Sequence, residues 1–183
     1  MPHLDALPST IGTYEFGANL SRLPSGSKYL RLLCNMLSWP LLDSGGSISS
    51  FLRRELDVPK STSFYPGFKC LVGNLHCGKD VGLCDTFFVD YVPVYIGDHV
   101  GFSFRNIVIT STHSIHDFNR IICRPVVVEK NVWITSNVTI LSGVRIGENS
   151  VIGAGSVVSR DIPPNVFAGG NPCKPIKAIQ RGY

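Results

Sequence analysis

Charge is scarce in this chain of 183 residues: 16% are Asp, Glu, Lys or Arg, and the net charge is only +4. No basic run is long enough to follow a nucleic-acid backbone, so no nucleic-acid partner is expected. Long apolar runs are missing as well. The richest, YLRLLCNMLSWPLL, is broken by Arg31, Asn35 and Pro40 and is too short and too polar to span a bilayer. Met1 to Leu20 lacks a basic start followed by an apolar block, so no secretory signal is expected. Paired cysteine spacing is also absent. Cys70, Cys77 and Cys84 fall seven apart, which matches no zinc pattern. The six cysteines are expected as small buried thiols in a reducing, cytoplasmic setting, with no metal site.

What is present is a strict period. In IGENSVIGAGSVV, Ile146 to Val158, a β-branched residue recurs at every sixth position, and the frame extends outward through Val128, Ile134, Ile140, Ile146, Ile152 and Val158. A helix repeats near 3.6 residues and a simple strand at two, so a period of six needs another geometry. Val132, Val138, Val144, Ser150 and Ser156 stand two residues before members of that series and share their face in an extended chain. Each hexad thus reads as a short strand with two inward residues and a turn. Such a unit cannot bury its own apolar face and must stack on copies of itself, which predicts a β-helix around an aliphatic column. Small residues fill the bends.

Upstream, Ile96, Phe102 and Val108 form a second run; Leu71, Cys77, Leu83 and Val89 form a third, offset run. Between Val108 and Val128 the hexads stop, and STHSIHDFNRIICRP places two His, an Asp and two Arg where core residues should stand. A loop leaves the column there, and long loops on rigid scaffolds carry function.

The first 65 residues differ in kind. Tyr29, Leu30, Leu33 and Leu37 fit one helical face, and Ser47 is the expected N-cap of a second helix, with Gly45 and Gly46 between them. Two short helices would cover the open end of the β-helix. The expected organisation is an N-terminal arm and helical cap over 1–65, the β-helix over 66–166 with an excursion loop at 114–125, and a tail over 167–183. Residues 1–26, rich in Pro, Ser and Gly, are expected as an arm or a partly disordered segment.

With these features in hand, residues 66–180 resemble the hexapeptide-repeat acetyltransferases, most closely the maltose, galactoside and polysaccharide O-acetyltransferase branch. The segment PVVVEKNVWITSNVTILSGVRIGENSVIGAGSVVSRDIPPNVFAGGNPCKPI carries most of the likeness. The resemblance implies an all-β fold, a left-handed parallel β-helix of hexapeptide repeats with a short N-terminal helical region. It also implies a homotrimer with acetyl-CoA held between subunits. The left hand departs from the usual crossover rule and cannot be read from periodicity.

By the same resemblance, His113 in TSTH is the catalytic base, thirteen residues after Val100 in IGDHV. An alcohol is a poor nucleophile, and an imidazole largely neutral at pH 7 can take its proton as the acyl bond forms. Ser136, in VWITS, is expected to offer a backbone N–H to the developing oxyanion. Ala154, Gly155 and Ser159 are implied along the pantetheine arm, Trp133 on that arm or at the subunit boundary, and Lys174 and Lys177 near the nucleotide end, within a basic group that includes Arg160 and Arg181. Asp85, His116, Asp117 and Arg120 are the implied acceptor-binding residues, and the acceptor is expected to be a hydroxylated small molecule or saccharide.

Rival readings stay open at this point. His116 beside Asp117 is an alternative base. His76, His113 and His116 would have to converge for a zinc hydratase of the carbonic anhydrase type. An amino acceptor needs the same base and coenzyme groove, and a non-catalytic scaffold is a further alternative.

Overall fold

The computed structural model describes residues 7–16, 23–37 and 46–180. Within them the chain winds into a three-faced prism of parallel strands. Face one holds β2 (Lys69–Cys70), β4 (Phe87–Val89), β7 (Ile107–Ile109), β12 (Thr139–Ile140) and β15 (Val157–Val158). Face two holds β3 (Leu75–Cys77), β5 (Val94–Ile96), β10 (Val126–Val128) and β13 (Arg145–Ile146). Face three holds β6 (Gly101–Phe102), β11 (Trp133–Ile134), β14 (Val151–Ile152), β16 (Val166–Gly169) and the antiparallel β17 (Lys174–Ala178). In the regular part each residue pairs with the one eighteen further on, as Trp133 does with Val151 and Thr139 with Val157. Three hexads therefore make one coil.

The inward series is as expected: Val128, Ile134, Ile140, Ile146, Ile152 and Val158 are wholly buried. Burying a β-branched side chain of this size stabilises by about 1.5–3 kcal/mol, and the branched Cβ suits the pleated wall. Ser150 and Ser156 take the same inward slots because their hydroxyls have work there. Ser150 Oγ donates to the Pro163 carbonyl at 2.9 Å and accepts the Val166 N–H, while Ser156 Oγ accepts the Gly170 N–H at 3.1 Å. These bonds hook the last turns onto the column. Toward the other end the column becomes aromatic, with Phe64, Phe68, Phe88 and Phe102 in successive ring contacts.

The third, offset run needs correction. Leu71 and Val89 are only half-buried, and the inward residues are Cys70 and Phe88. The hexad frame slips because the chain inserts extra residues at one edge of the prism, between faces one and two. In the early coils these form tight loops after β2 and β4. Asp90, fully buried, ties two of them together: its carboxylate accepts the N–H groups of Leu71, Val72, Gly73 and Asn74 at 2.7–3.0 Å.

At the next coil the same edge throws out a hairpin, β8 (Ser111–His113) and β9 (Ile121–Cys123). The N-terminal segment adds a third strand, β1 (Tyr14–Phe16), antiparallel to β9. The corners repeat with equal regularity: Asn131, Asn137, Gly143, Asn149 and Gly155, six apart, all have φ between +59° and +83°. Asparagine tolerates this left-handed conformation better than other side chains, which explains its recurrence where glycine is absent. Asn131, Asn149 and Asn165 also link side chain to side chain along one edge, at 3.0 and 2.9 Å.

Helices α1 (Lys28–Leu37) and α2 (Ser47–Glu55) pack Leu30, Leu33, Ile48 and Leu52 into the same core as Phe64 and Phe68. Ser47 is not the N-cap of α2. That position is Gly46 at φ 67°, with no side-chain cap, because the chain enters the helix from a left-handed residue. Gly45 and Arg181 lie outside the described residues. No helix among the described residues is long and apolar enough to cross a membrane.

Candidate active site

His113 ends β8 and is solvent-exposed. Its Nδ1 lies 2.7 Å from the carbonyl oxygen of Phe118, and its ring stacks on that of Phe118 with centroids 4.2 Å apart and planes 8° from parallel. A carbonyl only accepts, so the neutral ring carries its proton on Nδ1. Nε2 is left as a lone pair on an imidazole whose plane and direction are set. Phe118 was not singled out from the sequence. Its part depends on the turn folding back five residues, which leaves no periodic signal.

The turn between β8 and β9 is built by its own polar atoms. Ser114 Oγ accepts the N–H groups of His116 and Asp117, and Asp117 Oδ1 accepts that of Asn119 at 3.0 Å. Asp117 therefore shapes the turn and makes no hydrogen bond to the His116 ring among the described residues, so the tautomer-fixing pair required for His116 as a rival base is not formed. Arg120 turns back to Glu15, with Nη2 and Nε at 2.5 and 3.1 Å from the same carboxylate oxygen.

The other candidates lie elsewhere on the prism. Trp133 stands outward on face three, 46% exposed, with Nε1 donating to Ser103 Oγ at 3.1 Å. Ser136, Ala154 and Gly155 share the edge between faces three and one, where the Gly155 N–H donates to the Ser136 carbonyl. The Ser136 N–H has no acceptor among the described residues. Gly155 has φ +72°, and nothing lies within 4 Å of where a Cβ would stand, so the backbone faces open space. Asp85 is on this edge too, where its Oδ1 accepts the Arg105 N–H at 2.6 Å and holds the corner. Ser159 follows β15 and so sits on the edge that carries the hairpin. Lys174 and Lys177 are exposed on β17, and Arg160 is exposed near Ser159.

The candidate base and the candidate oxyanion donor thus occupy different edges of one chain, separated by the whole of face one. His76 is on face two, stacked on Tyr95 at 5.1 Å, and burial lowers its pKa. Among the described residues no three His, Cys, Asp or Glu side chains are grouped to hold a metal ion, so the three imidazoles of the hydratase reading do not converge within one chain.

Three-hexad coils, a wall of β-branched residues and a histidine-bearing hairpin at one edge define the class of hexapeptide-repeat β-helices. The profile of the bacterial transferase hexapeptide family (six repeats) matches residues 125–160. Galactoside O-acetyltransferase of Escherichia coli (strain K12) is 41% identical over 112 residues, which cover 58% of this chain and 55% of that protein. A solved maltose O-acetyltransferase from Clostridium difficile 630 superimposes with a TM-score of 0.75 at 35% identity, covering 84% of this chain and 86% of that one. A solved hexapeptide-repeat acetyltransferase of Vibrio cholerae O1, complexed with acetyl coenzyme A, has a TM-score of 0.67 at 28% identity, over 84% and 88%. The chain belongs to the hexapeptide-repeat acetyltransferase family, and its β-helix is the left-handed form. Its matched segment spans about half the length of the curated relatives, 47–55% for the first three.

Proposed function

We propose that the protein is an acetyl-CoA-dependent O-acetyltransferase with His113 as general base. The acceptor hydroxyl attacks the thioester carbonyl directly as Nε2 of His113 takes its proton. The C–O bond forms, the C–S bond breaks, and the proton passes to the departing coenzyme A thiolate. The observation that carries this reading is the Nδ1–H bond to the Phe118 carbonyl at 2.7 Å, which leaves Nε2 unprotonated and exposed. The unengaged Ser136 N–H suits the developing oxyanion. The open backbone at Gly155, the indole of Trp133 and the exposed Lys174 and Lys177 fit a pantetheine arm ending in phosphates.

Because His113 and Ser159 lie on one edge and Ser136, Ala154 and Gly155 on another, a second copy completes the site in this reading. The hairpin edge of one protomer meets the Ser136 edge of its neighbour. Such a heterologous contact closes into a three-fold ring. The acceptor belongs with hydroxylated small molecules or saccharides, an amino acceptor being the second outcome of the same assay. A reducing, cytoplasmic setting is part of the same proposal.

The test is coenzyme A release by wild-type protein across hydroxylated and amino acceptors, with mass spectrometry locating the acetyl group and sedimentation giving the assembly state. Turnover restricted to amines, or full activity as a monomer, would overturn the corresponding part.

A further inference from the structure

The hairpin that bears His113 is held on its far side by the N-terminal strand. In the sheet β1-β9-β8, Phe16 stands opposite Ile121, which stands opposite His113. Phe16 packs with Val92, Ile121 and Cys123 in a small core of its own at the root of the hairpin. Polar contacts fasten the same segment. Glu15 takes both Nε and Nη2 of Arg120, and Thr13 Oγ1 accepts from Arg124 Nε at 3.2 Å. Farther back, the Pro8 carbonyl accepts from Arg145, which also pairs with Glu129 at 2.7 Å on face two.

None of these groups is hydrogen-bonded to the imidazole, whose partner is the Phe118 carbonyl. Arg120 nevertheless closes the turn that aims it: the Ser114 N–H donates to the Arg120 carbonyl at 2.8 Å, and the Arg120 N–H donates to that of Asp117 at 2.9 Å. Phe118, whose carbonyl and ring hold His113, lies inside that closure. We infer that β1 is a strap that positions the His113 imidazole, with Glu15 and Arg120 as positioning residues acting through the turn that presents Phe118. This rests on the reading of His113 as the base. It gives Arg120 a role other than acceptor binding.

The test uses the full chain with Glu15→Ala, Arg120→Ala, the double variant, and the charge reversal Glu15→Arg with Arg120→Glu. An exposed ion pair is weak, but small misplacements of a catalytic group are costly, so each single variant should lower kcat about three- to tenfold. The KM for acetyl-CoA should stay within about twofold, since neither Glu15 nor Arg120 is among the groups assigned to the coenzyme. The double variant should be no worse than either single one, and the charge reversal should recover most of the loss. Amide exchange across 111–123 should quicken in Glu15→Ala and remain unchanged in the β-helix strands.

Unaltered exchange in the hairpin overturns the strap whatever the activity shows. A rise in acceptor KM confined to Arg120→Ala, or additive losses in the double variant, overturns it in favour of direct acceptor contact. If Glu15→Ala matches wild type while His113→Ala is inactive, the strap fails and the base assignment stands. An active His113→Ala removes the base assignment instead.

Discussion

Replacing His113 with Ala separates chemistry from architecture because the side chain is exposed and engages the protein only through Phe118. The fold loses one hydrogen bond and one ring stack, each worth about 0.5–1.5 kcal/mol at most and less in contact with water. In the proposed mechanism the reaction loses its general base, worth about 10²- to 10⁴-fold, or roughly 3–5 kcal/mol of barrier. Activity must therefore fall by orders of magnitude in a protein that unfolds within a few degrees of wild type and still binds acetyl-CoA. The assay is thiol release at saturating acceptor, paired with thermal unfolding and calorimetric binding of acetyl-CoA. Phe118→Ala serves as an internal control, since it deletes the stacked ring but keeps the backbone carbonyl, and should cost about tenfold in the same assay. If His113→Ala remains within tenfold of wild type while folded and coenzyme-bound, the base lies elsewhere and the hairpin geometry has been misread.

Three further outcomes follow from the packing. Ile152→Ala, in the fully buried column, should destabilise by about 2–5 kcal/mol in denaturant titration, because the stacked coils cannot collapse onto the space left. Asp90→Asn sets an amide NH2 against N–H donors now satisfied by the carboxylate, and should cost about 3 kcal/mol or more, read as a lowered unfolding midpoint with unchanged m-value. Burial pushes the Cys77 thiol up to about 12, whereas an unfolded thiol titrates near 8.5. The folded state then holds a proton the unfolded chain has lost, so the contribution is complete below about pH 8.5 and fades as pH rises toward 12. Thermal unfolding from pH 8 to 11 should shift less in a Cys77→Ala variant than in wild type; an equal shift would contradict the linkage.

Most of the scaffold was legible because it is written in a local code. Each of Val128, Ile134, Ile140, Ile146, Ile152 and Val158 announces its own inward position, and the fixed coil of eighteen makes the register a matter of counting. The frame blurred at Leu71 and Val89 because insertions at one edge shifted it, and nothing local reveals that Asp90 reaches back sixteen to nineteen residues to close the loop before it. Ser47 looked like a cap by type, but the left-handed Gly46 took that place. His113 was named as a candidate through the family resemblance, from its position just before the excursion loop at 114–125. The carbonyl and ring that orient it were not, and neither was the Glu15 partner of Arg120, 105 residues away in the chain.

The amino-acid order by itself determined the repeat, the inward column and the point at which the column is interrupted, since each depends only on side-chain volume and polarity at a fixed period. Tertiary structure alone decided which edge each candidate group occupies, which tautomer His113 holds and what braces its hairpin, because these depend on contacts between segments that no period connects.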